Sequence, residues 1–240
     1  MKTAQRIITW IRKQVKQARA KGVVVGLSGG LDSAVTAELC RRALGRNKVL
    51  TLILPCQSRK EDLIDARLVV KRLKIKAKCV DLDPVYKTCL NLLPKAKRVT
   101  RANLKARLRM SVLYYFANRL NYLVCGTSNK SEILTGYFSK FGDGAADILP
   151  LGDLLKTQVR QLARTLDILE KIINKTPTAG LWSGQTDEAE LGMSYNQLDD
   201  ILFRLLRKQK QTHPARLVKR VKSRIKATEH KRQLPKICKI

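Results

Sequence analysis

The sequence predicts an α/β protein: a parallel, doubly wound sheet with helices on both faces, continued by a helical C-terminal part. Three observations carry that reading. Val23 to Val25 is an apolar β-branched run, the mark of a strand buried on both faces, and it stops at Gly26. Strand-like and helix-like stretches then alternate as far as Cys125. The last quarter reads as helices.

Taken in order, the chain opens on an amphipathic helix, with Ile7, Ile8, Ile11, Val15 and Ala18 on one face. Lys2, Arg6, Arg12, Lys13 and Lys16 break up the apolar core that a secretion signal needs. After the first strand come Ser28-Gly29-Gly30 and a helix over 34–44. Residues 48–54 read as a second buried strand, and 61–73 as a helix with Leu63, Ala66, Val70 and Leu73 on one side. A third strand is expected over 77–82. Pro84 then suits the first turn of a helix over 84–93. The stretch 94–101 is expected to be a basic, mobile loop. A long helix over 103–121 turns Leu104, Leu108, Leu113, Phe116 and Leu120 inward, and a short fourth strand, 122–125, ends at Gly126-Thr127. Farther on, Ser194 caps a helix over 195–208, and another lies near 214–227.

The first strand, its glycine turn and the following helix aim several free backbone N–H groups at one point. Orphan amides and the positive end of a helix dipole both favour a phosphate there. Gly29 and Gly30 let the backbone come close to it. Two glycines alone would mark only a turn; the full run from Ser28 to Ser33 behind a buried strand says more. No Gly-Lys-Ser/Thr follows, so this is not the phosphate loop of ordinary nucleotide hydrolases. Loops 26–33 and 126–132 both follow strands and are expected to open on the same sheet edge, where such sheets bind ligands. Arg107, four residues after Asn103, shares its helix face. Asp143, between two glycines, would by itself be read as a turn residue.

With 240 residues, 44% of them hydrophobic, the chain can bury one sizeable core; 1–240 reads as a single domain without repeat or linker. No window approaches a membrane span. Six cysteines form no Cys-x-x-Cys pair, which argues against a zinc or dithiol site and for the cytoplasm. Cys79 and Cys125 are expected to be small buried hydrophobes. Two histidines leave little for a histidine metal site. The formal charge of +30, from 49 basic and 19 acidic residues, is dispersed; its strongest cluster, between Arg204 and Lys239, is interleaved with apolar residues. Solvated helix faces are therefore expected, not a specific nucleic-acid site. In so basic a chain the carboxylates Asp32, Glu132, Asp143, Asp147, Asp187, Glu188, Glu190 and Glu229, in loops or motif-like stretches, stand out.

Ser28 to Ser33 resembles the pyrophosphate loop of the ATP pyrophosphatases, Ser-Gly-Gly-x-Asp-Ser. The segment from Gly126 to Pro150, Asn103-x-x-x-Arg107-x-Arg109-Met110, Pro177-Thr178-Ala179 and Thr228-Glu229-His230-Lys231-Arg232 resemble, in order, the ammonia-dependent NAD synthetases. That resemblance implies the Rossmann-like ATP pyrophosphatase fold, a homodimer, and Mg²⁺ and ATP as cofactor and co-substrate. It implies no glutaminase domain, hence free ammonia as nitrogen source. Residue by residue it places ATP phosphates at Gly26, Leu27, Ser28, Gly29, Gly30, Leu31, Asp32 and Ser33, with Thr127, Lys156 and Thr178 as further ATP contacts. Asp32 and Glu132 would hold Mg²⁺. Arg107, Lys140, Asp147, His230 and Lys231 would bind deamido-NAD. Asp143 would serve the ammonia and Lys156 the leaving pyrophosphate, with 95–101 and 183–193 as lids over an acyl adenylate. Ala102 stands where that family usually has glycine, which predicts a different local turn. A tRNA-modifying ATP pyrophosphatase is the main rival; the sulfur-inserting kind needs catalytic cysteines, often in Cys-x-x-Cys pairs, which this chain lacks.

Overall fold

Three consecutive valines, Val23 to Val25, can be apolar only in a strand covered on both sides, and both sides are covered. The computed structural model describes residues 2–182 and 184–239. Its sheet consists of β1 (Gly22–Gly26), β2 (Val49–Ile53), β3 (Lys76–Cys79) and β4 (Tyr122–Cys125), all parallel, in the order β3-β2-β1-β4. Val23 and Val25 pack into a core with α1 (Lys2–Gln17), α2 (Leu31–Leu44) and α3 (Lys60–Leu73). Val24 joins Leu50, Leu52 and Val124 on the other face, under α4 (Asp83–Leu92) and α5 (Arg98–Leu120). The period-two alternation of a strand sorts these side chains between the faces.

The chain steps outward from β1 to β3 and then returns to the far side of β1 for β4. The order of winding therefore reverses between β1 and β4, where a crevice opens at the carboxyl ends. Val25 is in register with Cys125, so Gly26 and Gly126 leave the sheet side by side. The later helices are α6 (Lys130–Thr135), α7 (Lys156–Thr165), α8 (Glu170–Ile173), α9 (Asp187–Leu191), α10 (Tyr195–Leu206), α11 (Ala215–Ala227) and α12 (Glu229–Arg232). A third core, around Leu155, Tyr195, Leu198, Ile201 and Val221, joins α10 and α11. Ser194 caps α10 as its sequence predicts, exchanging hydrogen bonds with Gln197.

Five expectations need correction. The basic segment is helical from Arg98, so the connection between α4 and α5 is shorter than 94–101. Ala102 lies buried inside α5 and forms no turn. Cys79 is exposed, because β3 is an edge strand whose four residues all face solvent; its lysines suit an edge. Leu120 is exposed at the end of α5 and Ala18 lies beyond α1, also exposed. Cys125 is buried as expected, against Cys40 with the sulfurs 3.5 Å apart. No helix among the described residues is long and apolar enough to cross a membrane.

Candidate active site

At the end of β1 the loop is built to expose its amides. The Leu27 N–H donates to the Leu52 carbonyl at 2.8 Å, tying the start of the loop to the sheet. Ser33 Oγ accepts from the Ser28 N–H at 3.3 Å and donates to the Gly30 carbonyl at 2.9 Å, which folds the loop on itself. Gly29 has φ +78, and a Cβ there would come within 2.3 Å of the Asp62 carbonyl. Gly30 is the N-cap of α2 and has no side chain to occupy the first-turn amides. They are left for a ligand.

Across the crevice, β4 leads through Thr127 to α6. Its N-cap Asn129 accepts from the Glu132 N–H at 3.0 Å, while the Asn129 N–H donates to Glu132 Oε2 at 3.2 Å. The Asn129 side chain also donates to Asp32 Oδ1 at 3.0 Å. Their remaining oxygens converge on Lys156, whose Nζ lies 2.5 Å from Asp32 Oδ2 and 3.4 Å from Glu132 Oε1. Burial pushes the Glu132 carboxyl above its ordinary value; Lys156 opposes this, and the charges of Asp32 and Asp187 add to it. Burial disfavours the Lys156 ammonium, but Asp32 and Glu132 outweigh that and hold it above its ordinary value.

This donor set fits Mg²⁺. Two carboxylates from neighbouring strand ends each turn one oxygen to a point already held by a cation. Mg²⁺ takes one or two carboxylates and completes its shell with phosphates and waters. The described residues contain no group of three His, Cys, Asp or Glu side chains that would hold a metal without substrate.

Both loops open on one cavity of about 570 Å³. At its other end Asp143 accepts from the Ser139 N–H at 2.9 Å. Asp143 is solvent-accessible along the cavity wall, and partial desolvation there pushes its carboxyl up, against the pull of the Ser139 N–H and of Arg109. Arg109 donates to the Leu54 carbonyl at 3.0 Å and to Ser58 Oγ at 3.2 Å.

The family model for NAD synthase matches residues 3–235. The chain belongs to the NAD synthase family. It is 43% identical to the NH(3)-dependent NAD(+) synthetase of Carboxydothermus hydrogenoformans, covering 97% of this chain and 95% of that one. It is 47% identical to the enzyme of the same name from Methanocaldococcus jannaschii, over 96% and 93%. Among solved structures it is similar to an NMN synthetase from Francisella tularensis, with TM-score 0.92, 37% identity and coverage of 100% and 98%. The NH3-dependent NAD synthetase of Campylobacter jejuni gives TM-score 0.87 and 32% identity over 99% and 98%.

Most residues singled out in the sequence meet at this cavity. Gly26, Leu27, Ser28, Gly30, Leu31, Asp32, Ser33, Thr127, Glu132, Asp143, Lys156, Thr178 and Lys231 line it, and Gly29 packs behind the loop. Arg107, Lys140, Asp147 and His230 do not line it. Arg107 donates to the Lys140 carbonyl at 3.3 Å, and Lys140 Nζ to the His230 carbonyl at 2.6 Å. Asp147 accepts from the Val124 N–H at 2.7 Å and from Tyr114 at 3.2 Å. Of the two expected lids, Arg98 stacks on Trp182 over the cavity, and α9 lies within 183–193; Ser183 itself lies outside the described residues.

Several site residues are absent from the sequence reading. Asn129 was legible as Asn-x-x-Glu, a capping-box pattern. Lys175, two residues before Pro177, reaches the Gly29 carbonyl at 3.2 Å while paired with Asp65 at 2.6 Å and Asp62 at 2.9 Å. Tyr137 and Tyr195 are new as well: both hydroxyls donate at 3.0 Å to Asp187, one of the carboxylates the sequence singled out. Nothing in the local sequence pairs either tyrosine with that carboxylate.

Proposed function

We propose that this chain amidates deamido-NAD with ammonia at the expense of ATP, giving NAD, AMP and pyrophosphate. The observation that carries the reading is the meeting of the amide-rich loop, the Asp32–Glu132 pair and Asp143 on one cavity at the reversal of the sheet. Membership of the NAD synthase family supports it.

The nicotinate carboxylate is a poor electrophile, so its oxygen first attacks the α-phosphorus of ATP. The bond to the β-phosphate oxygen breaks and the electron pair leaves with pyrophosphate. The first-turn amides of α2, from Leu31 to Ser33, receive that charge, and Lys156 adds a positive charge beside them. Asp32 and Glu132 would hold Mg²⁺, which would neutralise part of the phosphate charge. Thr127 and Thr178 position the nucleotide. Asp143 then binds ammonium and accepts its proton, a task helped by a carboxyl pushed above its ordinary value. Ammonia attacks the acyl carbon, the acyl–phosphate C–O bond breaks with its electron pair leaving on AMP, and the new amide sheds its extra proton to water.

Arg107, Lys140, Asp147, His230 and Lys231 bind the rest of deamido-NAD. The first four stand outside the cavity, so the distal half of a dinucleotide lies on the surface beside α5. A second copy of the chain completes that surface in a homodimer. Exposed Tyr115, next to Tyr114, and Phe141, next to Lys140, support a covered face. The enzyme works in the cytoplasm as one domain, with Mg²⁺ as cofactor.

A second reading has its own support. The fit to an NMN synthetase, with TM-score 0.92 over the whole chain, favours the mononucleotide as substrate. A site whose distal contacts lie outside the cavity would suit it too. Incubation with ATP, Mg²⁺, ammonium and either deamido-NAD or nicotinate mononucleotide decides between them. The first reading expects a kcat/KM at least about tenfold higher with the dinucleotide, a difference of ~1.4 kcal/mol; the reverse preference favours the second.

A further inference from the structure

Seven cationic side chains line the cavity, and six already have a partner. Lys156 is held by Asp32 and Glu132, and Lys175 by Asp62 and Asp65. Arg109 donates to the Leu54 carbonyl, Arg224 to the Thr135 carbonyl and Lys231 to the Gly136 carbonyl. Arg98 stacks on Trp182. The seventh is Arg160. Its Nε is buried without a hydrogen-bond partner, and no carboxylate among the described residues pairs with its guanidinium. A buried donor left unmade is costly, so such a group is kept for something that arrives later.

The position of Arg160 says what arrives. It lies four residues after Lys156 on α7, one turn along the same face. Lys156 touches Asp32 in the first turn of α2, directly after the glycine loop. Arg160 therefore faces the phosphate end of the cavity. A guanidinium stays protonated and offers a planar fork of donors matched to two phosphate oxygens. The two lysines nearby already have their charge matched by carboxylates, whereas that of Arg160 is unmatched.

We propose that Arg160 binds the β- and γ-phosphates of ATP and the pyrophosphate that departs from them. The proposal rests on the amidation reading and adds to it. As the nicotinate oxygen bonds to the α-phosphorus, the bond to the bridging oxygen breaks, and its electron pair stays on pyrophosphate. Arg160 meets that added negative charge with N–H donors that need no reorganisation.

The test is calorimetric binding of pyrophosphate, with Mg²⁺ present, to wild type, Arg160→Met and Arg160→Lys, together with steady-state kinetics. Arg160→Met is expected to bind pyrophosphate about tenfold more weakly, to raise KM for ATP and to lower kcat about 100-fold. KM for deamido-NAD should stay within twofold, and Arg160→Lys should recover part of each loss. Since the Arg160 side chain makes no hydrogen bond among the described residues, the melting temperature should move little; if Met is not tolerated, Arg160→Gln carries the same measurement. Pyrophosphate affinity and ATP KM within twofold of wild type would overturn the proposal. Wild type that binds pyrophosphate but forms no NAD would overturn the amidation reading instead, and the binding comparison would still decide Arg160.

Discussion

At the scale of residues, Glu132 shows how a site can oppose stability. Its carboxyl is buried beside Asp32 and Asp187, and its neutral form is favoured by the fold. The folded value, raised to about 8, lies above that of the unfolded chain, so ionisation costs stability as pH rises from the ordinary glutamate range toward 8. Glu132→Gln should therefore gain stability over wild type between about pH 4 and pH 8, measured by denaturant melts. The same variant, and Asp32→Asn, should lose about 100-fold or more in turnover at low Mg²⁺. Wild-type turnover in either would remove that residue from the metal site. Asp143→Asn tests a different step. It should lower kcat/KM for ammonium by a factor of about 100 or more and leave KM for ATP unchanged. In wild type the acid limb of that parameter should lie above the ordinary carboxylate range, because Asp143 must lose its proton first. The glycine loop and the carboxylates of this site were legible because few residue types serve their chemistry. Arg160 was not legible, being one basic residue among 49 until its lack of a partner is seen.

At the scale of elements, periodicity located most of the framework. The fourth strand, 122–125, matches the structure residue for residue, since Tyr122 to Cys125 is apolar and ends in glycine. The start of α5 was hidden, because 94–101 carries no acid to signal a first turn and its lysines and arginines read as a loop. The burial of β3 was overestimated: Cys79 looks apolar, but strand order puts it on an edge, and order is a non-local property. One element contact supports the loop from behind. Lys175 and Lys171 clasp Asp65 of α3, and Lys175 also meets the Gly29 carbonyl. Burial raises the Asp65 carboxyl, but the hydrogen bonds and charges of Lys171 and Lys175 outweigh it, so its value falls below the ordinary one. That contribution to stability is present above the unfolded value and disappears as pH falls through the folded one. Asp65→Ala should destabilise by about 1–3 kcal/mol in denaturant melts, because Lys175 loses one of its two carboxylate partners and keeps Asp62. A loss under 1 kcal/mol would show that the clasp does little for the fold.

At the scale of the whole molecule, charge and assembly are the properties local sequence describes least. The basic cluster between Arg204 and Lys239 looked like solvated helix faces, yet part of it turns inward. Arg232 donates to the Leu134 carbonyl at 2.8 Å and Lys231 to the Phe138 carbonyl at 2.9 Å, pinning the C-terminal helices to the site. Binding to RNA should therefore be weak and salt-dependent, with Kd on the order of 10⁻⁴–10⁻⁶ M at physiological salt. Saturating tRNA should leave NAD synthesis unchanged, and tight binding that survives added salt would point to a missed partner. Light scattering of active enzyme should give twice the monomer mass, as a surface site completed by a second copy requires. The central claim, adenylation followed by amide formation, is tested most directly by the nucleotide products. With ATP, Mg²⁺, ammonium and deamido-NAD, the account predicts AMP and pyrophosphate in equal amounts with NAD; ADP and phosphate in their place would contradict it.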